Sequence, residues 1–156
     1  MAISGLVITY NEEKNIGKCI DALFEVCDEV IIVDSLSADN TVKIAEEKGA
    51  KVISQKFLGD GPQRTHGLPF CKNDWILNLD ADEFLDKDAK EFILKEKYLE
   101  GNYDAFSFRV KNFLADELID FSGWYPDHKV RFFNKKTAKP SEAKVHQKIE
   151  TTNEKK

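Results

Sequence analysis

Three short runs of apolar and β-branched residues, Ile3 to Thr9, Val30 to Val33 and Lys51 to Ser54, are separated by two stretches of helical spacing. In the first stretch Ile16, Cys19, Ile20 and Leu23 fall on one helix face. In the second, Val42, Ile44 and Ala45 give an apolar side that stops at Gly49. Short unbroken apolar runs bounded by polar residues are strands covered on both faces, whereas the intervening pattern is that of amphipathic helices. A strand, helix, strand, helix, strand order of this kind predicts parallel strands joined by right-handed crossovers, and so an α/β domain.

The rest of the chain extends that frame. Gly59 to Pro62 reads as a turn-rich loop, and a short helix is expected from about Gln63 to Phe70. Trp75 to Leu79 is a fourth strand that runs straight into Asp80-Ala81-Asp82-Glu83, and Lys87 to Lys97 is a charged helix with Phe92 and Ile93 inside. Beyond it, Asp104 to Lys111 alternates as a half-buried strand does. Lys129 to Phe133 and Lys144 to Glu150 read as further strands, and Ser122 to His128 as an aromatic loop. With 156 residues, residues 1–150 are read as one domain and 151–156 as a polar, frayed tail.

A hydrophobic content of 42% and a charged content of 33% are those of a globular chain. The net charge of −5 argues against a general nucleic-acid binder. Cys19, Cys27 and Cys71 lie in or beside apolar stretches without zinc-like spacing and read as buried free thiols. The first residues lack the basic and apolar pattern of a secretory leader, and no apolar run reaches the length of a membrane span, so the expectation is a cytoplasmic protein, with attachment at the inner face of the membrane left open.

In an open α/β sheet, ligands sit outside the carboxyl ends of the strands. Three strands end there in polar or acidic groups: Asn11, Glu12 and Glu13 after the first, Asp34 after the second, and Asp80, Asp82 and Glu83 after the fourth. Two carboxylates one residue apart (a DXD pattern) can hold one Mg²⁺ or Mn²⁺ and leave coordination positions for substrate phosphates. The competing reading of this pair is a helix cap. Asp34 suits a ribose or base contact, or alternatively an Asx turn with Ser37. Asn11 and Asp39 are candidate helix caps. An acidic protein that binds phosphates needs a local answer to charge repulsion, and a divalent cation supplies one.

Four segments together resemble family 2 glycosyltransferases, in particular the branch concerned with lipopolysaccharide core biosynthesis. They are Ile8-Thr9-Tyr10-Asn11-Glu12-Glu13 with Asn15-Ile16; Val33-Asp34-Ser35 with Ser37, Asp39 and Thr41; Asp80-Ala81-Asp82-Glu83; and Gly123-Trp124-Tyr125-Pro126-Asp127 with Arg131-Phe132-Phe133. The resemblance implies a nucleotide-diphospho-sugar transferase (GT-A-like) fold, with a mostly parallel central sheet flanked by helices, and sugar transfer with inversion. It also implies that Asp34 contacts the nucleoside, that Thr9 to Glu12 line the nucleotide pocket, and that Asp80 and Asp82 lie near the ribose, metal and diphosphate. Arg64 matches a segment in which the family often carries an arginine near the nucleotide, although Thr65 stands where an asparagine often follows. Relatives usually continue past Val145-His146, so a domain shortened at its C-terminal end is expected.

Inverting displacement of a nucleoside diphosphate needs charge stabilisation on the leaving group and a base on the opposite face of the sugar. Asp127, in the aromatic loop, is the candidate base, and its competing reading is a turn residue after proline. Trp124 and Tyr125 suit either sugar stacking or core packing. Arg131 is a candidate partner of phosphate or of Asp127, and His146 a candidate further metal ligand. The expected partners are a nucleotide-diphosphate sugar, a UDP-sugar foremost, and a glycan or lipid-linked acceptor. Two other functions are carried forward: a silent nucleotide-sugar-binding module, and a sugar nucleotidyltransferase, which would need a Gly-rich basic loop where Tyr10 to Glu13 stand.

Overall fold

A computed structural model describes residues 2–114, 117–119, 127–141, 149–150 and 154–155, with side chains for 2–108, 129–141 and 149. The N-terminal half alternates β1 (Ile3–Thr9), α1 (Ile16–Phe24), β2 (Glu29–Asp34), α2 (Thr41–Glu47), β3 (Lys51–Ser54), α3 (Asp60–Gly67) and β4 (Trp75–Asp80). A short strand, β5 (Glu83–Leu85), then leads to α4 (Lys87–Leu94). The second half is β6 (Ala105–Leu114), β7 (Glu117–Ile119), β8 (Asp127–Asn134), β9 (Lys139–Pro140), β10 (Ile149–Glu150) and β11 (Glu154–Lys155).

The main sheet runs β11-β6-β8-β4-β1-β2-β3, with β5 and β7 also on β6. Strands β3, β2, β1 and β4 are parallel, as the alternating sequence requires. From β4 onward the pairing turns antiparallel, through β8 to β6, so the sheet is mixed. The reason lies in the connections, since among the described residues no helix lies between β6 and β8. The Glu154–Lys155 segment, expected to fray, pairs with Ala105 and Phe106 on the open edge of β6.

Both faces of the parallel strands are covered. Val7, Val30, Ile32, Leu77 and Leu79 pack against the buried side of α1, which carries Ile16, Cys19, Ile20 and Leu23. Leu6, Ile31, Val33 and Ile76 fill the other face together with Phe133. Successive strand residues therefore alternate between two cores, which explains why the runs read as continuously apolar. On that second face α3 lies close to the sheet: a Cβ at Gly67 would come within 2.6 Å of Val33 Cγ2 and 2.7 Å of Leu6 Cδ1. Beside the first core, Trp75 stacks on Phe132 at 5.0 Å and meets Tyr98 edge-on at the same distance. The three cysteines are free and buried.

Two local expectations change. Asn11 does not cap α1; it adopts a left-handed conformation (φ 50°), and its side chain accepts from the Ala38 amide at 2.8 Å. The competing reading of the DXD pair as a helix cap also falls: the helix begins at Lys87, where the sequence places it, and is capped by Asp86, which accepts from the Ala89 amide at 2.8 Å. Asp80 and Asp82 are thereby freed from a capping role, because β5 intervenes.

Candidate functional site

Register brings the strand ends together. Thr9 is paired with Asp34, and Ile8 with Asp80, so the carboxyl ends of β1, β2 and β4 form one edge. Beyond that edge lies a cleft of about 580 Å³, lined by Thr9, Tyr10, Glu12, Ser35, Phe57, Asp60, Arg64, Asp80 and Asp82 among others. Its volume falls within the range of small-molecule sites, roughly 300–1,000 Å³.

The floor is tied down by side chains. Thr9 Oγ1 donates to Asp34 Oδ1 at 3.0 Å, while the Ser37 amide and hydroxyl donate to Asp34 at 2.9 and 2.5 Å. The Asx turn is therefore formed, and Asp34 is buried beneath the cleft, with Ser35 presented in its place. The loops after β1 and β2 are laced to each other. The Asn11 amide donates to Ser37 Oγ at 2.8 Å, the Glu12 amide to Thr41 Oγ1 at 2.8 Å, and the Asn40 amide to Glu13 Oε2 at 3.1 Å. Asp39 accepts from the Thr41 amide at 3.0 Å at the head of α2, although the N-cap position expected for it is held by Asn40. Asn11 thus supports the pocket wall from outside the cleft.

One wall is an electrostatic network. Arg64, buried on α3, donates to Asn78 Oδ1 at 2.5 Å and pairs with Asp80. Burial pushes the Asp80 carboxyl upward, but Arg64 and Arg131 outweigh it and hold the group below the ordinary carboxylate range. Among the described residues no such cation stands by Asp82, two residues on. Burial and then the negative charges of Asp80, Glu83 and Glu12 raise it to about 6. Arg131 Nη2 lies 3.1 Å from Glu83, and Lys129 Nζ lies 3.6 Å from the same carboxylate. Arg131 thus meets the acids of the DXD turn, while the side chain of Asp127, its other expected partner, lies outside those described.

Of the site residues read from sequence, Thr9, Glu12, Arg64, Asp80 and Asp82 line one cleft. Asp127 opens β8 opposite Val110, and its side chain lies outside those described. Trp124, Tyr125 and His146 lie outside the described residues. The sequence reading passed over Phe57 and Asp60 in the cleft, and Asn78 behind it. Asn78 had a usable signal, as a polar residue in the middle of a buried strand. Phe57 had none beyond standing alone among loop residues.

A profile of glycosyl transferase family 2 matches residues 4–147, nearly the whole chain and all of the strands that build this edge. The chain belongs to glycosyl transferase family 2. Among similar proteins of that kind, an uncharacterized glycosyltransferase of Rickettsia felis is 48% identical over 91 residues, covering 58% of this chain and 32% of the relative. The lipopolysaccharide core biosynthesis glycosyltransferase LpsC of Rhizobium meliloti is 36% identical over 98 residues, covering 60% of this chain and 36% of its own length. The chain thus spans about a third of these relatives. In structure it is similar to glucosyl-3-phosphoglycerate synthase of Mycobacterium tuberculosis, solved with Mn²⁺, UDP and glucosyl-3-phosphoglycerate. That likeness has 26% identity and a TM-score of 0.55, over 67% of this chain and 42% of the synthase. The family 2 assignment accounts for the sheet order and the GT-A-like fold. Among the described residues, no helix is long and apolar enough to cross a membrane.

Proposed function

We propose that this family 2 chain binds a nucleotide-diphosphate sugar, a UDP-sugar foremost, with a divalent cation, and transfers the sugar with inversion to an acceptor hydroxyl. The observation that carries the reading is the charge of the cleft. Among the described residues, Glu12, Asp60, Asp80 and Asp82 line it against a single cationic side chain, Arg64, which is already engaged with Asp80. An anionic diphosphate entering such a cleft meets net repulsion unless a cation accompanies it.

The residues present fit a hard divalent ion. Asp82 offers a carboxylate whose ionisation is opposed by neighbouring negative charge, which a cation would relieve. Among the described residues no cluster of three or more candidate ligands converges on one point. The carboxylates of Asp80 and Asp82 at the cleft suit Mg²⁺ or Mn²⁺, which take one or two carboxylates and complete their shell with water and phosphate oxygens. Asp82 and, behind it, Asp80 are the proposed holders, with His146 a further ligand. When bound, the ion would stabilise negative charge on the departing diphosphate.

The chain's own residues do the remaining work in this reading. Thr9, Glu12 and Ser35 form the nucleotide wall, and Asp34 sets its shape from beneath through Thr9 and Ser37. Arg64 fixes the Asp80 carboxylate for the ribose side. Asp127, at the start of β8, takes the proton of the acceptor hydroxyl. The acceptor is a glycan or lipid-linked saccharide of bacterial surface polysaccharide or lipopolysaccharide synthesis, handled in the cytoplasm at the inner face of the membrane; the naming of LpsC supports this pathway.

Calorimetric titration of UDP with and without Mn²⁺ tests the donor site. Metal-dependent binding is the expected result. A folded sample that binds no nucleoside diphosphate, or binds one equally well without metal, would overturn the reading. Asp127→Asn separates enzyme from silent binder, because it should abolish transfer and leave UDP binding intact.

A further inference from the structure

Strand β8 carries an irregularity at one place. Its pairing with β6 steps from Phe106 opposite Phe132 to Ser107 opposite Val130, so Arg131 is the extra residue of a bulge. The pairing of β8 with β4 ends at the same point, at Leu77 opposite Phe132. A bulge re-aims a side chain and bends its strand. Here it sends a buried guanidinium toward the segment joining β4 to β5. Arg131 Nη2 reaches Glu83 at 3.1 Å and Asp80 Oδ2 at 3.5 Å. Glu83 in turn accepts from the Asp80 amide at 2.7 Å. The Asp80–Glu83 turn is therefore closed at both ends by one buried carboxylate, and that carboxylate is held by a residue of another strand.

We propose that Arg131 is a positioning residue: through Glu83 and Asp80 it fixes the turn that presents Asp82, and it ties that turn to the strand that begins at Asp127. The inference rests on the proposed donor site. Without Arg131 the buried Glu83 would keep only the more distant and more exposed Lys129, at 3.6 Å, and an undercompensated buried charge would draw the turn into rearranging to hydrate it. Asp82 sits inside that turn, and its own surroundings are acidic, so among the described residues no cation holds it in place by charge. Residues that orient metal ligands from behind commonly contribute 10–100-fold to affinity. Arginine suits the task better than lysine because its fork can engage two carboxylates at once.

The test uses Arg131→Gln, Arg131→Lys, Glu83→Gln and the Arg131→Gln/Glu83→Gln pair. Calorimetry gives UDP affinity with and without Mn²⁺, and amide exchange gives the protection of the Asp80 amide relative to Leu77 and Leu79. Arg131→Gln is expected to weaken the Mn²⁺-dependent affinity by about tenfold or more and leave metal-free binding unchanged. It should also speed exchange at Asp80 alone. Arg131→Lys should recover part of the loss, and the double variant should be little worse than either single one. Wild-type affinity in Arg131→Gln, strictly additive losses, or faster exchange along all of β4 would overturn the proposal. A wild-type protein without Mn²⁺-dependent binding would instead defeat the donor-site reading. The exchange data would then still decide whether Arg131 closes the turn.

Discussion

Asp82→Asn should make the metal-free protein more stable. The carboxyl is raised from its usual 3.8 to about 6 by burial and by Asp80, Glu83 and Glu12, so at neutral pH the fold holds an ionised group in a place that disfavours it. Two pH units correspond to about 3 kcal/mol at most, and partial exposure of the group to solvent brings the expected gain down to about 1–2 kcal/mol. For a chain of this size that is a rise in Tm of roughly 3–6 °C. The sign with pH is fixed. The folded state binds this proton more tightly than the unfolded chain, so the group's penalty is absent below pH 3.8 and complete above about 6. The stability difference between Asp82→Asn and wild type should therefore be near zero at pH 3.5, grow across pH 4 to 6, and level off by pH 7. Urea denaturation of both proteins at several pH values in the presence of a chelator measures it. The same variant should lose Mn²⁺-dependent UDP binding. A variant less stable than wild type at pH 7, or a difference that does not change with pH, would refute the electrostatic account of the turn.

Asp80→Asn should act in the opposite direction, costing about 1–3 kcal/mol in urea denaturation because it leaves the buried Arg64 without its counter-charge. Since Asp80 is held low, the stability it contributes is present at neutral pH and should disappear as the pH falls below 3.8, which the wild-type pH profile will show relative to the variant. Gly67→Ala should destabilise by about 1–3 kcal/mol, because its methyl group must displace Val33 and Leu6 in a packed core; an unchanged midpoint would mean that α3 can lift off the sheet freely. Leu36→Gly should stabilise by about 0.5–1 kcal/mol in the same assay, since Leu36 is exposed and held at φ 64°, where a side chain is penalised.

The sequence was most informative where one physical rule governs a segment. Buried parallel strands must be apolar on both faces, so β1 to β4 could be found within a residue or two of their ends, and with them the edge where Asp34 and Asp80 emerge. What escaped was set by contacts between distant segments. Asn11 has a good capping residue's chemistry, yet the Ala38 amide claims its side chain. Strand β5 went unread because Glu83 to Leu85 is drawn into pairing with Val110 to Asn112, a partner far along the chain. Arg131 shows the same limit. Local spacing offered Asp127 or a phosphate as partners and gave no sign of Glu83, toward which a single inserted residue in β8 turns the side chain.

Asp80 and Asp82 have the same chemistry, lie two residues apart, and are driven in opposite directions. The difference comes wholly from where cations were placed. Arg64 and Arg131 converge on Asp80, and no described cation is brought to Asp82 to match them. A protein selected only for stability would gain from neutralising Asp82, since one asparagine would remove the penalty. Keeping a half-buried carboxylate against three negative neighbours makes physical sense if something positive joins it when the protein works. A basic loop could have served a diphosphate directly, as helix N-termini with lysines do, but then the cleft would be cationic before the ligand arrived. Here the acids precede the ligand. The charge pattern thus favours a cation that arrives with the diphosphate over a loop that grips phosphate alone, and Asp82→Asn is decisive because stability and metal-dependent binding should move in opposite directions.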